Sequence, residues 1–149
     1  MEIEQEKPTT FFRFEDLRIY HKALEYTDTI FSMSRNVKDD PYTRYFFERF
    51  LASATSIATN IAEGSSRNKS QFVYYLKMAK SSVRECVVLS TVALSQMFIT
   101  DEVFENSKNH LMEMTKMIGA LIGSLQRSVK PGELGVDEDE DNELPSNPG

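Results

Sequence analysis

Residues 41–69, PYTRYFFERFLASATSIATNIAEGSSRNK, decide the fold. Pro41 has the fixed φ that suits a first helical position, Asp40 before it supplies an N-cap carboxylate, and no further proline or glycine interrupts the run before Gly64. Apolar residues recur at spacings of three and four, so the stretch predicts one helix from Pro41 to Gly64, with Gly64 as the left-handed residue that stops it.

Outward from this helix, breaks at Lys38–Pro41, Gly64–Lys69 and Ile99–Asp101 divide the chain into four segments that share the helical period. The first predicts a helix over Glu15–Ser34, with Glu15 and Asp16 near its positive end. The third predicts a helix over Ser70–Phe98. The fourth starts at a Thr100 cap, carries Asp101 and Glu102 in its first turn, and fades near Val129 before Pro131 and Gly132. Connections this short turn successive helices antiparallel, which predicts an all-α, up-down-up-down four-helix bundle over 14–129. Residues 1–13 then form a flexible N-terminal arm. Residues 130–149, rich in acid, Pro, Asn and Gly and without aromatics, are expected to form a disordered acidic tail.

The chain has 149 residues, 40% hydrophobic and 27% charged, enough for one domain with a core. Its single cysteine, Cys86, excludes an internal disulfide framework and fits a reducing cytoplasm. Neither a cationic-then-apolar leader nor an apolar run of roughly 18 residues is visible, so no signal peptide and no membrane span are expected and the protein is placed in the cytoplasm. Of the net charge of −6, the tail accounts for more than all: residues 131–149 hold seven acids and no base, leaving 16 acids against 17 bases before them. The acidity describes the tail and not the bundle.

The apolar faces exceed one core. Helix four has a single arc: Val103, Phe104, Leu111, Met114, Met117, Ile118, Leu121, Ile122 and Leu125. Helix one has two, Leu17, Tyr20, Leu24 and Phe31 nearly opposite Ile19, Ala23, Tyr26, Ile30 and Met33. Helix two packs Tyr42, Tyr45, Phe46, Phe47 and Phe50 over an arc wider than one core needs. Helix three shows a main stripe of Phe72, Leu76, Ala79, Val83, Cys86, Ala93 and Met97 and a weaker one of Tyr74, Met78, Leu89 and Val92. Surplus apolar surface of this kind predicts a homo-oligomer, with Ile19, Tyr26, Ile30, Met33 and Phe47 as the expected interface. Gly119 and Gly123, four apart and off the main stripe of helix four, leave room for another backbone.

Catalytic chemistry has little to be built from. His21 and His110 are the only histidines, neither follows a carboxylate by three, and no glycine-rich phosphate loop appears, so neither a metal site nor a cofactor nor an enzymatic activity is expected. Asn60, Glu63 and Gly64 form a distinctive turn. Glu63 sits at the negative end of helix two and requires a partner, for which Arg67, Ser70 or a residue of helix three is in reach; Glu85, among apolar neighbours, requires one too.

Phe14-Glu15-Asp16-Leu17, the run Ser56-Ile57-Ala58-Thr59-Asn60-Ile61-Ala62-Glu63-Gly64, then Ser70-Gln71-Phe72 and Ala79–Glu85 resemble the four-helix bundle proteins encoded in 23S rRNA intervening sequences. The resemblance runs from Phe14 to near Arg127. Departures are Tyr20 where many relatives carry Trp, Ala58 where Pro is common, and Ser81 where Gly is common. The resemblance implies an antiparallel four-helix protomer that assembles as a barrel-like homopentamer, without known enzymatic activity. It also implies kinship with the accessory protein of diversity-generating retroelements, which works with a reverse transcriptase and binds nucleic acid.

Two functions follow. Arg67–Arg84 contains Arg67, Lys69, Lys77, Lys80 and Arg84 and no acid, and Lys77, Lys80 and Arg84 share a helical face. Repeated around a ring, that face would draw RNA or DNA by its phosphates, tolerant of sequence and sensitive to salt. Alternatively the bases only solvate the helix, and the oligomer is a scaffold that recruits a partner protein by its rim or tail.

Overall fold

The computed structural model describes residues 11–128 and is all-α over them, with four helices and no strand. A 3₁₀ turn at Arg13–Asp16 precedes α1 (Arg18–Arg35), α2 (Pro41–Ser65), α3 (Lys69–Ser95) and α4 (Asp101–Arg127). Of the predicted flexible arm over 1–13, residues 1–10 lie outside the described residues, as does the whole of the predicted acidic tail over 130–149. Each helix packs on its neighbour in sequence, α1 also packs on α4, and the 3₁₀ turn rests on α1 and α2.

Local signals set most boundaries. Asp40 accepts a bond from the Thr43 amide at 2.9 Å, Asn68 one from Gln71 at 2.9 Å, and Thr100 one from Val103 at 3.2 Å, so α2, α3 and α4 all start on a side-chain cap. The bond from the Thr43 amide holds the Asp40 carboxyl below its ordinary range. Three boundaries differ from expectation. Leu17 is extended (φ −86°, ψ 128°), so Glu15 and Asp16 belong to the 3₁₀ turn and α1 begins after them, with no acid in its first turn and no side-chain cap. Helix α2 runs through Gly64 to Ser65, and Gly64 serves packing: a Cβ there would lie 2.6 Å from the Tyr75 Cβ and 2.9 Å from the Phe72 Cδ1. Helix α3 stops at Ser95 because Met97 turns left-handed (φ 63°), while Phe98 donates to the Ala93 carbonyl at 2.8 Å and Met97 to Leu94 at 2.9 Å. This is a Schellman ending with methionine where glycine is usual.

One core runs the length of the bundle. It takes Ile19, Ala23, Tyr26, Ile30 and Met33 from α1, Phe47, Phe50, Ala54, Ile57, Ala58 and Ile61 from α2, Val73, Leu76, Ala79, Val83, Cys86 and Ala93 from α3, and Leu111, Met114, Ile118 and Ile122 from α4. Each large side chain so buried contributes roughly 1.5–3 kcal/mol, offset by the entropy of ordering the chain. Phe98, in the α3–α4 turn, covers Phe46 and Phe47 with ring centroids 5.5 and 5.8 Å away, which accounts for part of the wide aromatic arc on α2.

Candidate functional site

The five residues expected at an oligomer interface are core residues. Ile19, Tyr26, Ile30, Met33 and Phe47 are each at most 4% exposed within the single protomer and cannot form its outer surface. Periodicity shows two arcs on α1 but not which one faces inward. The buried arc carries small Ala23, which admits close packing, and Tyr26, whose hydroxyl has partners waiting. The opposite arc leaves Leu24 and Phe31 partly exposed. On α3 the main stripe also shifts: Val73 is buried and Phe72 half-buried, while Met97, beyond the helix end, is exposed.

Polar groups inside the bundle are paired. Tyr26 Oη lies 2.7 Å from Ser107 Oγ and 3.3 Å from Ser90 Oγ, and the two serines are 2.7 Å apart, closing a buried triangle across α1, α3 and α4. Burial drives the Tyr26 phenol well above its ordinary range against the opposing effect of both hydroxyls. Nearby, burial, with a smaller contribution from Glu85, pushes the Cys86 thiol up to about 12, so it is a packed apolar group and not a nucleophile. Serines in a core stripe are the sequence signal for such a triangle, since each needs a partner; Ser90 and Ser107 were legible in that way and absent from the expected sites. Between α2 and α3, Ser53 donates to Glu85 Oε1 at 2.7 Å and Ser56 donates to Ser82, which gives Glu85 its partner. Between α1 and α4, His110 Nε2 donates to the Lys22 carbonyl at 3.1 Å, and Lys22 Nζ lies 3.2 Å from Glu113.

At the α2–α3 turn, Arg67 Nη2 bonds the Glu63 carboxylate one helical turn before it, and the Arg67 guanidinium sits 5.2 Å over the Tyr75 ring. The Asn60 amide donates to the Ser56 carbonyl at 2.9 Å. Glu63, Arg67, Tyr75 and Gly64 thus join the end of α2 to the start of α3. Of the other cations expected to form a belt, Lys69 and Arg84 are exposed, and Lys77 and Lys80 are half-buried on α3. Arg67 is engaged by the turn, and Lys69, Lys77, Lys80 and Arg84 all lie on α3.

Beside this turn the residues before α1 form a groove of about 720 Å³ with the last turns of α2, walled by Phe11, Phe12 and Phe14 and by Thr59, Ala62, Ser65 and Ser66, with Arg13, Glu63 and Arg67 along it. A second groove of about 360 Å³ lies at the α1–α2 turn between Phe31, Val37, Phe47 and Leu51, edged by Arg35, Lys38 and Arg44. Among the described residues no group of three or more His, Cys, Asp or Glu is placed to hold a metal ion, and no helix is long and apolar enough to cross a membrane.

Comparison with curated proteins gives no match. Among solved structures, a protein of unknown function from the S23 ribosomal protein family of Bacteroides thetaiotaomicron VPI-5482 superposes with a TM-score of 0.62 at 23% identity, over 70% of this chain and 97% of that one. At this identity the likeness establishes the fold. The family model for 23S rRNA-intervening sequence proteins matches residues 15–120, from the 3₁₀ turn into α4. With its four helices and most of its length inside that match, the chain belongs to the 23S rRNA-intervening sequence protein family.

Proposed function

We propose that the protein is a non-enzymatic homo-oligomeric adaptor, an antiparallel up-down-up-down bundle whose copies close into a barrel-like ring, five favoured, and whose α3 cations contact RNA or DNA in the cytoplasm. The observation that carries this reading is the apolar surface the protomer leaves uncovered. On α3, Tyr74, Met78, Val88 and Val92 are exposed, and on α2 Tyr42 and Tyr45 are 87% and 67% exposed. A row of this extent on a water-facing bundle is the signature of a contact surface, and a second copy of the chain is its commonest cover. Lys77, Lys80 and Arg84 flank the row on the same helix, so association would set the cations of neighbouring copies side by side.

A second reading is favoured by the engagement of Arg67 with Glu63 and Tyr75, which takes one cation out of the belt. In it the oligomer is a scaffold for a partner protein, such as a reverse transcriptase, and does not touch nucleic acid. Native mass spectrometry of the full chain, followed by retention on immobilised RNA across a salt series, tests both. The adaptor reading expects several subunits and retention that falls steeply with salt. A monomer overturns the oligomer; an oligomer without retention at low salt leaves the scaffold.

A further inference from the structure

We infer that the groove between Phe11–Phe14 and the end of α2 binds unstacked bases of single-stranded nucleic acid. This rests on the nucleic-acid reading above and adds to it a site, a strand preference and a mode of contact. Phe11 is 91% exposed and meets Phe12 edge-on with centroids 4.9 Å apart; Phe12 continues to Phe14 at 5.8 Å. Phe11, the ring that stands out into solvent, offers a face to any base, because every base has a π surface. A cation stands at the same groove in Arg13, placed to meet a backbone phosphate while an aromatic ring takes a base, and Arg67 beside it is held by Glu63 and Tyr75.

The rest of the lining suits base edges. Thr59, Ser65 and Ser66 each donate their hydroxyl proton to a carbonyl of α2, at 3.3, 3.0 and 3.0 Å, which leaves their oxygen lone pairs as acceptors. Glu63 has its charge balanced by Arg67 and keeps a second carboxylate oxygen to accept from an exocyclic amino group. A duplex keeps its base faces stacked and can meet only the cations; a single strand can use both. The groove therefore discriminates single from double strands, whereas the α3 face alone would not.

The chain contains no tryptophan, so Phe11→Trp makes a sole indole reporter in the full-length protein. Titration with a fluorescein-free twelve-nucleotide oligoadenylate at low salt is expected to quench its emission, and the matching duplex is expected to quench it far less. In anisotropy with labelled strands, Phe11→Ala should weaken single-strand binding about five- to tenfold and leave duplex binding unchanged, with the melting temperature unaltered because the ring is exposed. Unchanged single-strand affinity in Phe11→Ala, with affinity lost in a Lys77→Ala/Lys80→Ala/Arg84→Ala variant, overturns the groove and keeps the adaptor. No binding of either strand by the wild-type chain overturns both. Indole emission that shifts to the blue with protein concentration alone, and is not quenched by the oligonucleotide, assigns the ring to a contact between copies and overturns the groove.

Discussion

Gly64 of α2 meets Tyr75 of α3 so closely that a Cβ on the glycine would stand 2.6 Å from the tyrosine Cβ. The tyrosine atom is fixed to its own backbone and cannot swing aside, so relief requires the two helices to part. Alanine at position 64 gains about 1 kcal/mol of helix propensity. Overpacking of this kind costs about 1–3 kcal/mol, and the fixed position of the opposing atom puts the cost at the upper end. Gly64→Ala is therefore expected to lose about 1–2 kcal/mol net in urea unfolding. A stabilised variant would show that the helices are not held at this distance.

Met97 is left-handed and 86% exposed. A non-glycine residue there costs about 1–2 kcal/mol, partly returned by the smaller freedom of its unfolded chain, so Met97→Gly should stabilise by about 0.5–1 kcal/mol. Thermal unfolding checks this. Should the same variant weaken self-association in sedimentation, the methionine side chain is held outward for contact between copies.

Tyr26, Ser90 and Ser107 share one hydrogen-bonded triangle. Tyr26→Phe removes the phenol and leaves the serines bonded to each other, a cost of about 0.5–1.5 kcal/mol. Ser107→Ala breaks two edges at once. The double variant should lose less than the sum of the single losses, and a double-mutant cycle by denaturant unfolding measures the coupling. Strict additivity would mean that the hydroxyls act independently.

Asp40, Cys86 and Tyr26 make the stability depend on pH. Asp40 has a folded pKa below its ordinary 3.8, so its contribution is present above that value and lost as pH falls through the folded pKa. Asp40→Asn, which caps without titrating, should flatten the acid limb of a plot of urea midpoint against pH. Cys86 is raised from 9.0 to about 12, so the folded form keeps its proton while the unfolded one ionises, and stability falls from pH 9 toward 12. Cys86→Ala should make that alkaline limb shallower, with the raised Tyr26 phenol accounting for slope that remains.

At neutral pH, Cys86 is expected to react with iodoacetamide no faster than the protein unfolds, as followed by intact mass. Prompt labelling would contradict its burial.

The starts of α2 and α4 were legible because they are written locally: Asp40 with Pro41 and Thr100 with Asp101 each mark a first turn by chemistry within four residues, whereas the Asn68 cap of α3 was not read and α1 starts without a side-chain cap. The ends were harder. Gly64 has the identity of a helix stop and the role of a spacer, a difference fixed by Tyr75 eleven positions on, and Met97 stops a helix in a conformation that its type does not advertise. The α1 arcs were visible as two, but their assignment depended on serines of α3 and α4 that receive the Tyr26 hydroxyl. Among the cations, spacing gathered Lys77, Lys80 and Arg84 on one face of α3; it could not show that Arg67 spends its charge on Glu63 and Tyr75.

The buried triangle has a mechanical implication. Sliding α4 along α1 by one turn would strand the phenol oxygen among hydrocarbon, and rotating α3 would strand the Ser90 hydroxyl, so each such displacement forfeits bonds that water cannot replace. Three hydroxyls act as a pin through the bundle. If copies associate as proposed above, a protomer pinned in this way would tilt against its neighbours as one unit before its own helices slid past one another.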